Sequence, residues 1–181
     1  AQVARAMSSI PEYVDGLPLT TFCDTHHLAL PARIELMLKV IEAVQYAHQN
    51  LVIHRDLKPA NILITREGDV RLLDFGIAKL MSQGQAQTHE TELTQLGGRA
   101  LTPDYASPEQ MAGRRVDGRS DLYSLGAMLF QLLTGALPFR AESMAKLMFQ
   151  IANEPAPDVR SLRPELPEAV ANVVALALEK R

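Results

Sequence analysis

Apolar side chains recur at helical spacing in the first third of the chain. Within residues 31–50 they follow one another at three or four positions, at Ile34, Leu38, Ile41 and Val44. This spacing places them on one face of an α-helix. Pro31 suits a first helical turn, because the N–H that proline lacks would have no partner there. The pattern predicts a helix over 31–50 and favours a shorter one before it, over 17–28.

Two short apolar runs follow, over 62–64 and 70–73. Between them stands the turn sequence Arg-Glu-Gly-Asp of residues 66–69. Strand-like runs on either side of turn residues predict a β-hairpin.

Farther along, a third segment is apolar on almost every side of a helix, at Leu122, Tyr123, Leu125, Met128, Leu129, Phe130, Leu132 and Leu133. A helix of this kind over 120–134 is buried on most sides, and Gly135 predicts its end. Two amphipathic helices are predicted over 143–153 and 168–180, with a proline-rich loop between them. The fold class is therefore mainly α (α+β), a helical bundle around a buried central helix with one small β-hairpin.

Composition narrows the function classes. A chain of 181 residues is long enough for one domain with a sizeable core. Its net charge of −3 argues against a nucleic-acid binder. The single cysteine, Cys23, excludes an internal disulfide and a cysteine-based zinc site, and it fits a cytoplasmic location. No apolar run approaches the length of a membrane span.

The candidate chemistry lies in His-Arg-Asp-Leu-Lys-Pro-Ala-Asn, residues 54–61, and in Asp-Phe-Gly, residues 74–76. Phosphoryl transfer needs metal ions on the phosphate oxygens, a cation near the developing charge, and a carboxylate to orient the acceptor hydroxyl. The two segments hold two aspartates, an asparagine and a lysine. Oxygen ligands from Asn61 and Asp74 suit Mg²⁺. The hairpin between them could bring both ligands to one point.

These residues resemble the signature of protein kinases. Further segments are similar to that family in the same order: 12–16 to the hinge between its two lobes, 102–105 to the substrate-docking stretch, 107–109 to the end of the activation segment, and 121–126 to the start of the central helix. Ser107 stands where alanine is usual. The amino-acid sequences of these motifs resemble those of the eukaryotic-like (Hanks-type) Ser/Thr kinases of bacteria.

The resemblance implies a role for each matching residue. Asp56 would orient the acceptor hydroxyl of a protein serine or threonine, and Lys58 would neutralise the transferring phosphate. Thr102 would steady both, while Asn61 and Asp74 would hold Mg²⁺. A second set would contact ATP, formed by Glu12, Val14, Leu63 and Lys58.

The same resemblance sets the expected domain limits. Residues 1–16 would be a residual hinge segment and 17–181 the large lobe, with the catalytic loop at 54–61 and the activation segment at 74–109. No glycine-rich loop or strand lysine precedes the hinge, and the arginine expected to pair with Glu109 is absent. We therefore expect a fragment truncated at both ends that transfers phosphate poorly by itself. The missing small lobe would pack on its exposed cleft, and the uncovered surface would make the fragment self-associate.

Two further expectations concern the loop 81–98 and the buried residue Asp121. The polar stretch 81–98 predicts an exposed loop, in which Thr88, Thr91 and Thr94 are candidate phosphosites. The family resemblance implies that Arg55 pairs with such a phosphate. Asp121, on a buried helix, should accept backbone hydrogen bonds because burying an unpartnered carboxylate is costly.

Two other functions compete with the kinase hypothesis. A partner-binding, non-catalytic kinase-like module would fit the missing lobe, but Asp56, Lys58, Asn61 and Asp74 are all intact. A small-molecule phosphotransferase would share the catalytic residues. It would typically lack the segments resembling peptide docking and the end of the activation segment, both of which are present over 102–109.

Overall fold

The computed structural model describes residues 15–73 and 103–180. Several predictions fall outside these residues, namely those for Glu12, Val14, Asp74, Thr88, Thr91, Thr94, Thr102 and the loop 81–98. The described part is mainly helical with one small sheet, which confirms the predicted fold class. Within it, no helix combines the length and apolarity needed to cross a membrane.

Three short strands form an antiparallel sheet in the order β1-β2-β3. The predicted hairpin is confirmed, with β2 at Ile62–Thr65 and β3 at Val70–Leu72. The strand β1, Gly16–Pro18, lies on the other edge of β2. This edge has room only for glycine at position 16, since a Cβ atom there would lie 2.9 Å from the Ile64 carbonyl oxygen.

The predicted helix over 17–28 is confirmed over a shorter range, and its predicted bounds were wrong. Residues 16–18 form β1, and only Leu19–Thr25 is helical, as α1. Pro18 favours this later start, because a proline biases the residue before it, Leu17, away from the α-helical conformation. The predicted helix over 31–50 is confirmed as α2, Leu30–Gln49, with a proline in its first turn.

The central helix, α4, spans Gly118–Thr134 after a single-turn helix α3, Pro108–Met111. Gly135 ends it with φ 76°, a left-handed conformation that glycine adopts without strain. Most of its residues are buried, including Phe130 at 0% exposure, as the sequence predicts. Leu122 is an exception to the predicted burial, since half of it is exposed on the outer side of the first turns.

Two further helices complete the described lobe. The helix α5, Met144–Asn153, matches its prediction. The helix α6 begins at Glu168 as predicted but ends at Ala177, three residues before the predicted end. Lys180 lies beyond that end and donates to the carbonyl oxygens of Gln150 and Glu154 at the last turn of α5. The side chain therefore caps a neighbouring helix instead of continuing its own.

The core lies between α2, α4, α6 and the inner face of the sheet. The helices α4 and α6 approach each other closely, since a Cβ atom on Gly126 would lie 2.8 Å from the Ala177 Cβ atom. This packing fixes α4 as the base on which the preceding segments rest. The segment 54–61 lies directly against the first turn of α4, where Asp121 bonds to its backbone.

Candidate active site

Asp121 anchors the segment 54–61 to the central helix. One carboxylate oxygen accepts the backbone N–H of Arg55, and the other accepts that of His54, both at 2.9 Å. The second oxygen also lies 2.8 Å from His48 Nε2, at the end of α2. Asp121 is 1% exposed, so these partners offset the cost of burying its charge. The predicted role of Asp121 as a backbone acceptor is confirmed.

Arg55 has an unusual backbone between these bonds and the next residue. Its φ angle is 67°, in the left-handed region that residues other than glycine rarely adopt. Its N–H is held by Asp121, and its carbonyl oxygen accepts a 2.6 Å hydrogen bond from Gln110 Nε2. Side chains of two other elements therefore hold both peptide groups of Arg55.

Asp56, Lys58 and Asn61 converge at the exposed side of this loop. Lys58 Nζ lies 3.1 Å from Asp56 Oδ2, and Asn61 Nδ2 donates to the same oxygen at 3.0 Å. Asn61 Nδ2 also donates to the Asp56 carbonyl oxygen at 2.8 Å. About a third of the Asp56 side chain is exposed, at 32%. The carboxylate is thus fixed in direction and remains accessible to a ligand.

The hairpin returns the chain to Asn61. The Leu73 N–H donates to the Asn61 carbonyl oxygen at 2.8 Å. The Leu73 carbonyl oxygen in turn accepts from His54 Nε2 at 2.8 Å. His54 is buried and supports the backbone instead of facing the site, which fits a structural role. These bonds hold the end of the hairpin beside the loop that carries Asp56.

Leu63 lies on β2 with a different orientation from its neighbours. Ile62 and Ile64 are fully buried, whereas Leu63 is only partly buried. Successive side chains of a strand point to opposite faces, so Leu63 faces away from the core. The structure therefore presents one apolar side chain on the outer face of the sheet, opposite Pro18 of β1.

The segment 103–111 is attached to the central helix by several side chains. Tyr105 donates its hydroxyl to Gln131 Oε1 at 2.7 Å, and Ser124 donates to the Tyr105 carbonyl oxygen at 2.8 Å. Burial raises the pKa of the Tyr105 hydroxyl, and the Gln131 bond opposes that rise. The segment resembling the end of an activation segment thus rests on α4.

Glu109 is half-buried and accepts a short hydrogen bond from the Ser120 hydroxyl. Nearby, the Tyr123 hydroxyl is buried and has no hydrogen-bond partner among the described residues. Burial raises the pKa of Tyr123, and the negative charge of Glu109 raises it further. The Ser120 hydroxyl therefore provides Glu109 with a hydrogen bond of the kind that the expected arginine would have donated.

Metal binding is tested by the donor groups on the loop. In residues 15–73 and 103–180, no three His, Cys, Asp or Glu side chains cluster in a way that could hold a metal ion. Asn61 uses its side-chain nitrogen Nδ2 in both bonds to Asp56. Its side-chain oxygen Oδ1 is left as a hard oxygen donor. Such a donor fits Mg²⁺, which is held by few protein oxygens together with water and phosphate.

Sequence reasoning missed two residues of this arrangement, His48 and Gln110. The sequence Ser-Pro-Glu-Gln of residues 107–110 fits a capping box, in which a serine and a residue three positions later satisfy each other's backbone. That signal predicts a helix start at Ser107, which the structure contains. It gives no sign that the same glutamine reaches Arg55. No sequence signal links His48 to Asp121.

The amino-acid sequence is similar to those of known proteins. A profile of the protein kinase domain matches residues 3–179. The chain is 43% identical over 176 residues to the serine/threonine-protein kinase Pkn1 of Myxococcus xanthus, a match covering 95% of this chain and 24% of that protein. It is 38% identical to the probable serine/threonine-protein kinase PknB of Lactococcus lactis over 94% of this chain and 26% of that protein. It is 34% identical to the serine/threonine-protein kinase PrkC of Bacillus subtilis, over 94% of this chain and 26% of that protein.

The chain thus spans about a quarter of the length of these curated relatives. The match to the protein kinase profile covers nearly all of this chain. The loop 54–61, which Asp121 anchors, carries residues by which the sequence resembles protein kinases. The chain belongs to the protein kinase family, as a member of the Hanks-type bacterial serine/threonine group.

Proposed function

We propose that the protein carrying this chain transfers the γ-phosphoryl group of ATP to serine or threonine hydroxyls of protein substrates. The observation that carries the proposal is the convergence of Asp56, Lys58 and Asn61, with Lys58 Nζ and Asn61 Nδ2 within 3.1 Å of one Asp56 oxygen. A carboxylate that is fixed and still accessible can accept the hydrogen of an incoming hydroxyl. The ammonium beside it can offset negative charge on a transferring phosphate.

In the proposed reaction, a substrate hydroxyl oxygen forms a bond to the γ-phosphorus while the bond to the ADP oxygen breaks. Asp56 orients the hydroxyl and receives its proton. Lys58 lies beside that carboxylate and donates to phosphate oxygens. Transfer of this kind depends mainly on positioning and charge, which the rigid loop provides.

Mg²⁺, when bound, would neutralise phosphate charge. We assign Asn61 as one ligand, through its side-chain oxygen Oδ1, since its bonds to Asp56 use the side-chain nitrogen. Asp74 is proposed as the other. The proposal is supported by the hydrogen bond between the Leu73 N–H and the Asn61 carbonyl oxygen, since Asp74 follows Leu73 directly in sequence.

For ATP, we propose that Leu63 contacts the base, because it is the apolar side chain that β2 turns away from the core. Glu12 and Val14 would bind the same base through the hinge, and Thr102 would steady Asp56 and Lys58. These three assignments rest on the family resemblance. An ATP-dependent reaction with protein substrates is consistent with a cytoplasmic location.

We also propose that Arg55 binds a phosphate on one of Thr88, Thr91 and Thr94. Its guanidinium Nε and Nη1 atoms are buried and have no hydrogen-bond partner among the described residues. A guanidinium with unused donors is suited to a phosphate, which arginine binds with two parallel hydrogen bonds. Phosphorylation would then tie the modified threonine to the loop that carries Asp56.

The main test uses the full-length product of the gene that encodes this chain, with radiolabelled ATP, Mg²⁺ and a generic basic protein. We expect phosphoserine or phosphothreonine in the product. Asp56→Asn and Asp74→Asn should each lower kcat by at least about 10²-fold, the scale of losing a general base or a main electrostatic group. Asp24→Asn, at an exposed carboxylate paired with Arg33, should retain activity.

The alternatives give different outcomes in the same assay. A non-catalytic module would bind partners with no phosphate transfer, and Asp56→Asn would change nothing. A small-molecule phosphotransferase would hydrolyse or transfer phosphate without labelling any protein. Either result would overturn the proposal.

A further inference from the structure

We infer that Gln110 is a positioning residue that links the end of the activation segment to the catalytic loop. Its side-chain amide is used at both ends. The nitrogen, Nε2, donates to the Arg55 carbonyl oxygen at 2.6 Å. The oxygen, Oε1, accepts the Ser107 N–H at 3.0 Å and the Ser107 hydroxyl at 3.2 Å. These partners fix the orientation of the amide, because a backbone N–H can only donate and a carbonyl can only accept.

The helix start at Ser107 does not itself require an amide. A capping box needs an acceptor three positions after the serine, and glutamate supplies one as well as glutamine does. Glutamate has no N–H to offer, so it could not donate to the Arg55 carbonyl oxygen. The donor end of Gln110 therefore serves the contact with the catalytic loop.

That contact acts on a residue whose backbone needs support. Arg55 has a φ angle of 67°, which residues other than glycine rarely adopt. Its N–H is held by Asp121 at 2.9 Å and its carbonyl oxygen by Gln110. Removing the Gln110 bond leaves the Asp121 bond, on the preceding peptide unit, as the remaining side-chain constraint on the Arg55 backbone within the described part of the chain.

The supported carbonyl belongs to the peptide bond between Arg55 and Asp56. Because a peptide unit is planar, holding this carbonyl also constrains the N and Cα atoms of Asp56, from which its side chain projects. Through this bond to Arg55, 55 positions earlier in sequence, Gln110 contributes to aiming the Asp56 carboxylate. The inference rests on the proposed function for its effect on the reaction rate. The hydrogen bond itself does not depend on that function.

The test compares three variants of the full-length protein. Gln110→Glu keeps the acceptor but lacks the donor. Gln110→Met lacks both and adds no charge. Ser107→Ala weakens the helix cap and keeps the bond from Gln110 to Arg55. We expect kcat to fall about 10-fold or more in both Gln110 variants with KM for ATP within 2-fold, since small displacements of a catalytic group are costly. In Ser107→Ala, kcat should stay within 2-fold of the natural protein.

Amide hydrogen exchange gives a second readout that needs no catalysis. The N–H groups of His54 and Arg55 should exchange at least about 5-fold faster in both Gln110 variants and at the natural rate in Ser107→Ala, because local opening of the loop governs their protection. Unchanged exchange in the Gln110 variants would overturn the link. Faster exchange with undiminished kcat would overturn the positioning role. An inactive natural protein with the expected exchange pattern would instead count against the proposed function alone.

Discussion

Asp121 and Arg55 are joined by a 2.9 Å hydrogen bond across 66 positions of the sequence. The donor is the backbone N–H of a residue with a left-handed φ angle, and the acceptor is a carboxylate buried in the first turn of α4. The loop that contains Asp56 is therefore attached to the central helix by hydrogen bonds to Asp121. This relationship makes the stability of the lobe and the geometry of the site depend on one side chain.

Replacing Asp121 by asparagine should lower the free energy of unfolding by about 2–4 kcal/mol, the scale for disrupting buried hydrogen bonds to a charged group. Asparagine has a single acceptor oxygen, and its amide nitrogen would face a backbone N–H. Urea unfolding of the two proteins measures the difference. Asp158→Asn is the matched control, because that exposed residue needs only one acceptor, for the Arg160 N–H. Equal losses in the two variants would contradict the anchoring role.

Asp117 should make stability depend on pH in acid. The Arg119 side chain and the Arg119 N–H lower the pKa of this carboxyl from 3.8 to about 2. Because the folded-state pKa is lowered, the unfolded state binds more protons between pH 4 and pH 2. The contribution of Asp117 is therefore complete above pH 4 and is lost as pH falls through 2.

Half of the Asp117 side chain is exposed, so solvent screening limits this contribution to about 1 kcal/mol or less. Unfolding free energies of the natural protein and Asp117→Asn should differ most above pH 4 and converge toward pH 2. The asparagine keeps a helix cap and removes the titration. A difference that grows in acid would contradict the assignment.

Gly126→Ala should destabilise the lobe by about 1–3 kcal/mol through overpacking. The added methyl group would meet the Ala177 Cβ atom at 2.8 Å and the Leu178 Cγ atom at 3.3 Å. Alanine favours a helix over glycine by about 1 kcal/mol, but this gain is smaller than the expected strain. A double-mutant cycle with Ala177→Gly measures the contact, since removing the second methyl group should restore part of the loss. A coupling energy of zero would refute the close approach.

Arg55→Lys should reduce the stimulation of kinase activity by phosphorylation. Lysine keeps the positive charge but cannot form two parallel hydrogen bonds to a phosphate. The ratio of activities before and after phosphatase treatment measures the stimulation, and Arg119→Lys on the surface is the control. Single alanine substitutions at Thr88, Thr91 and Thr94 identify the phosphorylated residue. An undiminished ratio in Arg55→Lys would rule out the proposed pairing.

Periodicity was sufficient for the long elements of this fold. The helices over 30–49 and 118–134 and the hairpin at 62–72 follow patterns that a single segment contains. The strand at Gly16–Pro18 has only three residues, and its pairing with β2 depends on residues 45 or more positions away. No local pattern of this length distinguishes such a strand from a helix start.

The site shows the same division. The residue types of Asp56, Lys58 and Asn61 were evident from their motif, and the burial cost of Asp121 predicted its hydrogen bonds. The reach of Gln110 to Arg55 depends on how α3 docks on the loop, which neither segment encodes alone. The exposure of Leu122 likewise reflects which neighbours cover the start of α4. Such properties arise from assembly and cannot be read from spacing.

The left-handed residue Arg55 also has a consequence for biosynthesis. Both side chains that support its backbone lie downstream, Gln110 by 55 positions and Asp121 by 66. A ribosome that adds 5–20 residues per second needs roughly 3–13 s to translate the longer interval. Until Asp121 is translated, the nascent segment around Asp56 lacks at least one of its two supports. The newly made polypeptide therefore acquires its reactive geometry only after the first turn of α4 has left the exit tunnel.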